Sequence, residues 1–386
     1  MLGLMACEAG PAPSALDQQL YIWQRQWRPS HGEALAASRA DFSTLRVLAL
    51  QAQPGEGWTR ARIDPRLLTQ DGRPLIAVVR LDGQLPQLDI PTIRREIGQL
   101  LRDWQALGLK PVGLEIDHDC ASARLAGYAE LLMQLRQDLP DGLRLSITAL
   151  PAWLASPALE AVLQQVDSSV LQVHAVTAPS RGLFDGPQAE AWARAYARRS
   201  AKPFYLALPA YGMALLDSAD GAPRVESEVP LNSVAARQEL HADPRQVAEL
   251  IQRLRAASPP GLSGLVWFRL PLAGDRRAWA MRTLLAVVRG QPLDSALTLQ
   301  ARSQGHLHEL QLSNLGTLAE ALPPRLEISA RGCEAADAVG AYRVTLTASG
   351  LLYQRQAPAQ LAAGRSQALG WARCQSLDQG VSRVEP

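Results

Sequence analysis

The chain has almost no lysine, little cysteine and no charge excess, and each scarcity removes a class of protein. Only Lys110 and Lys202 stand among 39 basic side chains, a composition bias that carries no chemistry of its own. The 39 basic and 37 acidic side chains leave a net charge of +2. No basic block supplies the electrostatic footprint that a nucleic acid requires, so no nucleic-acid partner is expected. No run of about 18 apolar residues occurs, which argues against a transmembrane helix. The four cysteines show no zinc or redox spacing, and neither a metal nor a cofactor is expected. No glycine-rich phosphate loop follows the first strand, where Trp23-Gln24-Arg25-Gln26-Trp27 stands instead, and this disfavours a doubly wound sheet.

What is present is the pattern of a folded α/β protein, with 47% hydrophobic and 20% charged residues. Apolar runs of strand length recur at 21–27, 45–51, 75–82, 112–119, 143–150, 169–176, 204–211 and 264–270. Segments of 3.6-residue periodicity separate them, clearest over Ile93, Ile97, Leu100, Leu101, Trp104 and Leu107. Eight strands alternating with helices predict a (β/α)₈ TIM barrel over 19–292. The second crossover, 65–70, is barely a helical turn. From 295 onward short alternating runs with Gly, Pro and Asn between them predict a small antiparallel β-sandwich-like domain over 293–386. Residues 1–18 read as a tether. The long connection 213–240 would lie over the catalytic face and brings Glu226 and Glu228 as further carboxylates.

The chemistry concentrates in Gly113-Leu114-Glu115-Ile116-Asp117-His118-Asp119. Strand side chains alternate faces, so Glu115, Asp117 and Asp119 share one, with Asp119 nearest the C-terminal rim where barrel active sites lie. Carboxylates so close cannot all ionise cheaply, and a raised pKa is what a general acid needs. Arg80 can pair with Glu115 or Asp117, and Glu115 is its expected structural partner. His118 alternates to the outer face, which weakens a metal site built from Asp117, His118 and Asp119. Around the predicted rim stand Arg25 and Trp27, Gln51, Arg80 and Asp82, Gln172 and His174, Tyr211, and Trp267 with Arg269. Aromatic faces and scattered hydrogen-bonding groups at one mouth suit a sugar ring. Taken singly, each tryptophan or histidine reads as core.

This strand, with Leu125-Ala126-Gly127-Tyr128-Ala129-Glu130-Leu131-Leu132 after it, resembles the fourth strand and helix of family 18 glycoside hydrolases, whose pattern is D-G-x-D-x-D-x-E. Gly113 and Asp117 match, while Val112, Glu115 and Asp119 replace the first Asp, the second Asp and the catalytic Glu. Trp267 resembles that family's platform tryptophan. With Tyr21-Ile22-Trp23-Gln24-Arg25 at its start, the chain also resembles an uncharacterised bacterial family, domain of unknown function 3142, which is grouped with barrel glycosidases. These resemblances imply a glycoside hydrolase-like protein acting on a polysaccharide, with Asp119 as acid and Asp117 or Glu115 as nucleophile, stabiliser or orienting group. The alternative is an inactive barrel that binds a glycan or a biosynthetic partner. Leu4-Met5-Ala6-Cys7 resembles a bacterial lipobox, although only six residues precede the cysteine. That likeness implies a lipidated Cys7, a membrane tether and a periplasmic, cell-envelope location. Cys333 and Cys374 are available for one disulfide there. Cys120 reads as a small buried hydrophobe.

Overall fold

The computed structural model describes residues 16–174, 182–216, 224–226, 237–378 and 384–385. It separates into two compact units that divide between Trp279 and Ala280, ahead of the boundary at 292 read from the sequence.

The first unit is a closed parallel barrel. Its strands are β1 (Asp17–Ile22), β2 (Thr44–Gln53), β3 (Leu75–Leu81), β4 (Gly113–His118), β5 (Arg144–Ala149), β6 (Ser168–Gln172), β7 (Phe204–Pro209) and β8 (Leu262–Phe268). Each pairs in parallel with the next, and β1 bridges β8 and β2 to close the ring. All eight expected runs are strands, with ends displaced by a few residues. The largest displacement is in β1, which stops at Ile22 rather than at Trp27. Short strand Gly57–Arg60 folds back antiparallel on β2. The tail of the sixth predicted run, 175–176, lies outside the described residues.

Four of the barrel's described helices begin where aspartate is followed within two residues by proline. Asp64, Asp89, Asp185 and Asp243 each accept a backbone N–H in the first turn of the helices Pro65–Asp71, Ile90–Ala106, Gly186–Ala197 and Pro244–Ala256. Such a cap satisfies an orphan donor and contributes about 1 kcal/mol, while proline fixes φ at a position whose N–H has no partner. The helix Ile90–Ala106 buries Ile93, Ile97, Leu100 and Trp104, one stripe at helical spacing.

Because helices cover the outside of the ring, both faces of its strands are buried, and β4 is buried at every position. On its outer face the His118 ring meets Tyr128 of helix Leu125–Asp138, centroids 5.1 Å apart, and its Nδ1 lies 2.9 Å from the Leu81 carbonyl oxygen. The strand's other face turns into the ring with Glu115 and Asp117. Above β7, the described parts of 213–240 are three short antiparallel strands, Gly212–Leu216, Arg224–Glu226 and Arg237–His241. Glu228 lies outside the described residues, and Glu226 is described only as backbone.

The second unit holds β9 (Leu297–Gln304), β10 (Leu307–Asn314), β11 (Arg325–Arg331), β12 (Ala335–Ala338), β13 (Tyr342–Thr347), β14 (Gly350–Arg355) and β15 (Ser366–Arg373). They form two antiparallel sheets, ordered β9-β10-β15-β12 and β13-β14-β11, the second extended by Ser376–Leu377. Strict alternation along β11 puts Leu326, Ile328 and Ala330 into one core with Leu310, Leu312, Leu369 and Tyr353. Cys333 and Cys374 are joined as a disulfide, while Cys120 of the first unit is buried and free.

Candidate active site

Barrel interior positions stack in levels, and the acidic row of β4 spans two of them. The lower level holds Glu115, which is 0% exposed. Its carboxylate accepts from Arg46 on β2, from the Tyr21 hydroxyl at 2.6 Å and from Ser146 at 3.3 Å. Arg46 also donates Nε to Gln19 at 2.8 Å and lies over the Tyr205 ring. Desolvation raises the Glu115 carboxyl above its ordinary range, and the Arg46 guanidinium opposes that rise. Burial and the neighbouring Glu115 raise Tyr21 well above the ordinary phenol value, so its O–H stays a donor. The pairing expected between Glu115 and Arg80 is therefore corrected. Inter-strand stagger brings Arg46, rather than Arg80, to the height of Glu115, and Glu115 lies beneath the cavity rather than in its wall.

The upper level faces a cavity of about 570 Å³. Arg80 and Asp117 are register partners on β3 and β4, and Arg80 donates to Asp117 at 2.7 Å and to Asp119 at 3.2 Å. Gln172 spans the same two carboxylates from the other side, 3.3 Å from each. Thr148 on β5 adds a 2.5 Å donor to Asp117. Asp117, 1% exposed, thus has three side-chain donors, whereas Asp119 remains 31% exposed. Desolvation, and then the negative charge of Asp117, push the Asp119 carboxyl up to about 6 against the pull of Arg80. Asp119 follows the end of β4, where its carbonyl packs against Gly83. A Cβ at Gly83 would stand 1.9 Å from that oxygen, so only glycine admits the approach.

One wall of the cavity is aromatic. Phe268 centres it, with ring centroids 5.1 Å from Trp23, 5.2 Å from Tyr211 and 5.5 Å from a stacked His174. The Arg80 guanidinium lies over Trp23 at 5.8 Å. Burial lowers the His174 pKa, so the ring is neutral near pH 7, and its Nδ1–H donates to the Ala207 carbonyl at 3.0 Å. The tautomer follows from that acceptor. Arg25, Gln51, Asp82 and Arg269 also line the cavity, the last paired with Asp275 at 2.9 Å.

Of the residues singled out in the sequence, the cavity gathers Asp117, Asp119, Arg25, Gln51, Arg80, Asp82, Gln172, His174, Tyr211 and Arg269. Two expectations are corrected. Trp267 is 0% exposed and donates its indole N–H to Gln18 at 2.8 Å; β8 turns Val266 and Phe268 inward, so Phe268 takes the place expected of Trp267. Trp27 lies beyond the end of β1 and stacks on His31 at 4.8 Å, since alternation ceases to predict facing once the strand has ended. Cys7 lies outside the described residues. Sequence reasoning passed over Tyr21, Thr148 and Phe268, although Tyr21 shares the parity of Trp23 and Arg25, and Ser146 and Thr148 alternate with apolar Leu145 and Ile147. Among the described residues no cluster of His, Cys, Asp and Glu is arranged to hold a metal ion.

Residues 71–273 match the family described as Domain of unknown function (DUF3142), and the chain belongs to that family. Residues 297–375 match a second, described as Domain of unknown function (DUF8456). No curated protein matches the chain. Among solved structures, the chain is similar to the spore cortex-lytic enzyme SleL of Bacillus cereus, at TM-score 0.49 and 13% identity over 67% of this chain and 71% of that one. A chitinase of Chromobacterium violaceum gives TM-score 0.47 and 14% identity over 68% and 96%. A chitinase of Bacillus thuringiensis gives 0.46 and 10% over 94% and 99%.

Proposed function

We propose that the barrel hydrolyses a glycosidic bond of a polysaccharide, with Asp119 as general acid. The observation that carries this reading is Asp119 itself: a part-exposed carboxyl on a cavity wall, pushed up to about 6 beside a second carboxylate. A carboxylic acid that still holds its proton near pH 6 can deliver it to a leaving glycosidic oxygen. Asp117, fixed by Arg80, Thr148 and Gln172, stabilises the positive charge that develops on the sugar ring as the bond breaks. Its oxygens are already engaged, which suits stabilising or orienting work better than nucleophilic attack. The aromatic wall of Trp23, Tyr211 and Phe268 offers apolar faces to the C–H faces of pyranose rings.

A second reading, glycan binding without turnover, is favoured by Arg80. A guanidinium paired with both Asp117 and Asp119 is also what a static ion-pair lattice looks like, and Asp reaches one methylene less far than Glu. Release of reducing ends from a panel of neutral glycans by the wild type and by Asp119→Asn separates the two. Equal release by both proteins removes Asp119 from the chemistry; saturable binding with no release establishes the second reading.

The proposed location is the cell envelope, with Cys7 lipidated. The disulfide Cys333–Cys374 supports this, because such bonds persist in oxidising compartments. Incorporation of labelled palmitate into the wild type and not into Cys7→Ser is the expected result, and equal labelling refutes it.

A further inference from the structure

We infer that the β-domain carries its own binding face for an uncharged polysaccharide chain, on the outer side of the sheet β9-β10-β15-β12 and centred on Trp371. This face forms an open concavity of about 1180 Å³ lined by β9, β10 and β15. Its inner side packs the core through Leu299, Leu310, Leu312 and Leu369. Trp371 is 38% exposed and is the one aromatic among the exposed large apolar side chains of the described residues.

The way Trp371 reaches this face marks it as built. Ala368 pairs with Gln311 and Trp371 with Glu309, so two residues three apart lie on the same side, where simple alternation would put them on opposite sides. A β-bulge at Leu310/Gln311 makes the difference by placing one extra residue on β15. Gly370 sits at that bulge with φ +151°, and a Cβ there would lie 2.1 Å from the Asp337 carbonyl oxygen of β12. The bulge and its glycine bring a tryptophan out of the sheet next to small Ala368, leaving an open floor beside the indole.

The surroundings select the occupant. Arg302, Glu309, Trp371 and Asp337 form one row across the four strands, and Gln300, Gln311 and Ala368 form the next. Arg302 and Arg373 in the lining stand against Glu309 there and against Asp337 beside Trp371 on the edge strand, so charges of both signs offset one another across the face, which complements a polymer without charge. Indole presents a flat apolar surface to pyranose C–H groups, and the amides and guanidinium groups around it reach hydroxyls at the ring edge. A partner carrying many charges of one sign finds no counterpart here.

The test is native affinity electrophoresis of the full chain in gels containing hydroxyethyl cellulose, galactomannan or glycol chitin, with alginate as the anionic comparison. Asp119→Asn serves as the background, so retention is read without turnover and independently of the proposed hydrolysis. Retardation by at least one neutral polymer is expected. Trp371→Ala should weaken it about tenfold, equivalent to about 1.4 kcal/mol, Gln311→Ala should weaken it less, and Trp371→Tyr should restore most of it. Equal retardation of the background protein and Trp371→Ala, retardation by alginate alone, or no retardation by any polymer would overturn the assignment. So would a dimer in solution that Trp371→Ala converts to monomer, because the face would then belong to a second copy of the chain.

Discussion

Glu115 on β4 and Asp119 just past its end face the same side, four residues apart, in different surroundings. Glu115 is sealed at 0% exposure with Arg46, Tyr21 and Ser146 around it. Asp119 borders an open cavity, is 31% exposed, and shares the charge of Arg80 with Asp117. The lower carboxylate has a cation to itself, and its chemistry is exhausted by holding strands together. The upper one is desolvated in the cavity wall beside a like-charged neighbour, with only half a cation to oppose the rise, so its proton is retained to about pH 6. Height along one barrel strand therefore separates a structural ion pair from a titratable acid, and the two levels should fail in different ways.

The largest difference should appear on removing the acid. Asp119→Asn is expected to lower glycan hydrolysis by roughly 10²- to 10⁴-fold, read as kcat/KM on the responsive substrate, with no loss of folding stability. The lower level should show the reverse. Arg46→Ala leaves Glu115 buried without its cation and should cost about 3 to 5 kcal/mol in urea unfolding. If it unfolds no more easily than the wild type, the account of the lower level is wrong.

A third measurement turns on the sign of the pKa shift. The folded-state pKa of Asp119, about 6, lies above the unfolded value of about 3.9. The folded state therefore favours the protonated form, and the stability this supplies is complete below about pH 3.9 and lost as pH rises through about 6. Asp119→Asn never ionises, so it should exceed the wild type by roughly 2 kcal/mol at pH 8 and match it near pH 3.5. A constant difference across that range would sever the link between Asp119 and its neighbours.

Smaller still is the effect on the pH profile. The basic limb of wild-type activity should fall near pH 6, where Asp119 loses its proton. Arg80 pulls that value down, so Arg80→Gln should move the limb to higher pH by about one unit, the ordinary scale for loss of a neighbouring charge. An unmoved limb would assign the titration to another group.

Much of this was legible in the chain alone. The eight apolar runs and the stripe Ile93, Ile97, Leu100 and Trp104 are local patterns, and they formed where they were read, the strand ends apart. The acidic row was legible too, because alternation along one short strand is a property of adjacent residues. The partners were not. Arg80 lies on β3 beside the acidic strand and Arg46 on β2, one strand further round, both facing inward, and only the stagger between strands decides which of them meets Glu115. Trp267 and Phe268 differ by one position, and which one enters the barrel depends on the phase of β8 in the closed ring. Trp27 was misplaced because β1 ends five residues earlier than its aromatic run suggested.

The chain's local patterns specify a barrel followed by an antiparallel β-domain, with a row of carboxylates gathered on one strand. Those features rest on periodicity and composition, which act between near neighbours. The tertiary structure decided which carboxylate is neutralised and which keeps its proton, and it lifted Trp371 onto an open face through a bulge. Both outcomes depend on distances between residues 31 to 94 positions apart for the carboxylates and on register across a sheet for the tryptophan, and only the folded chain sets either.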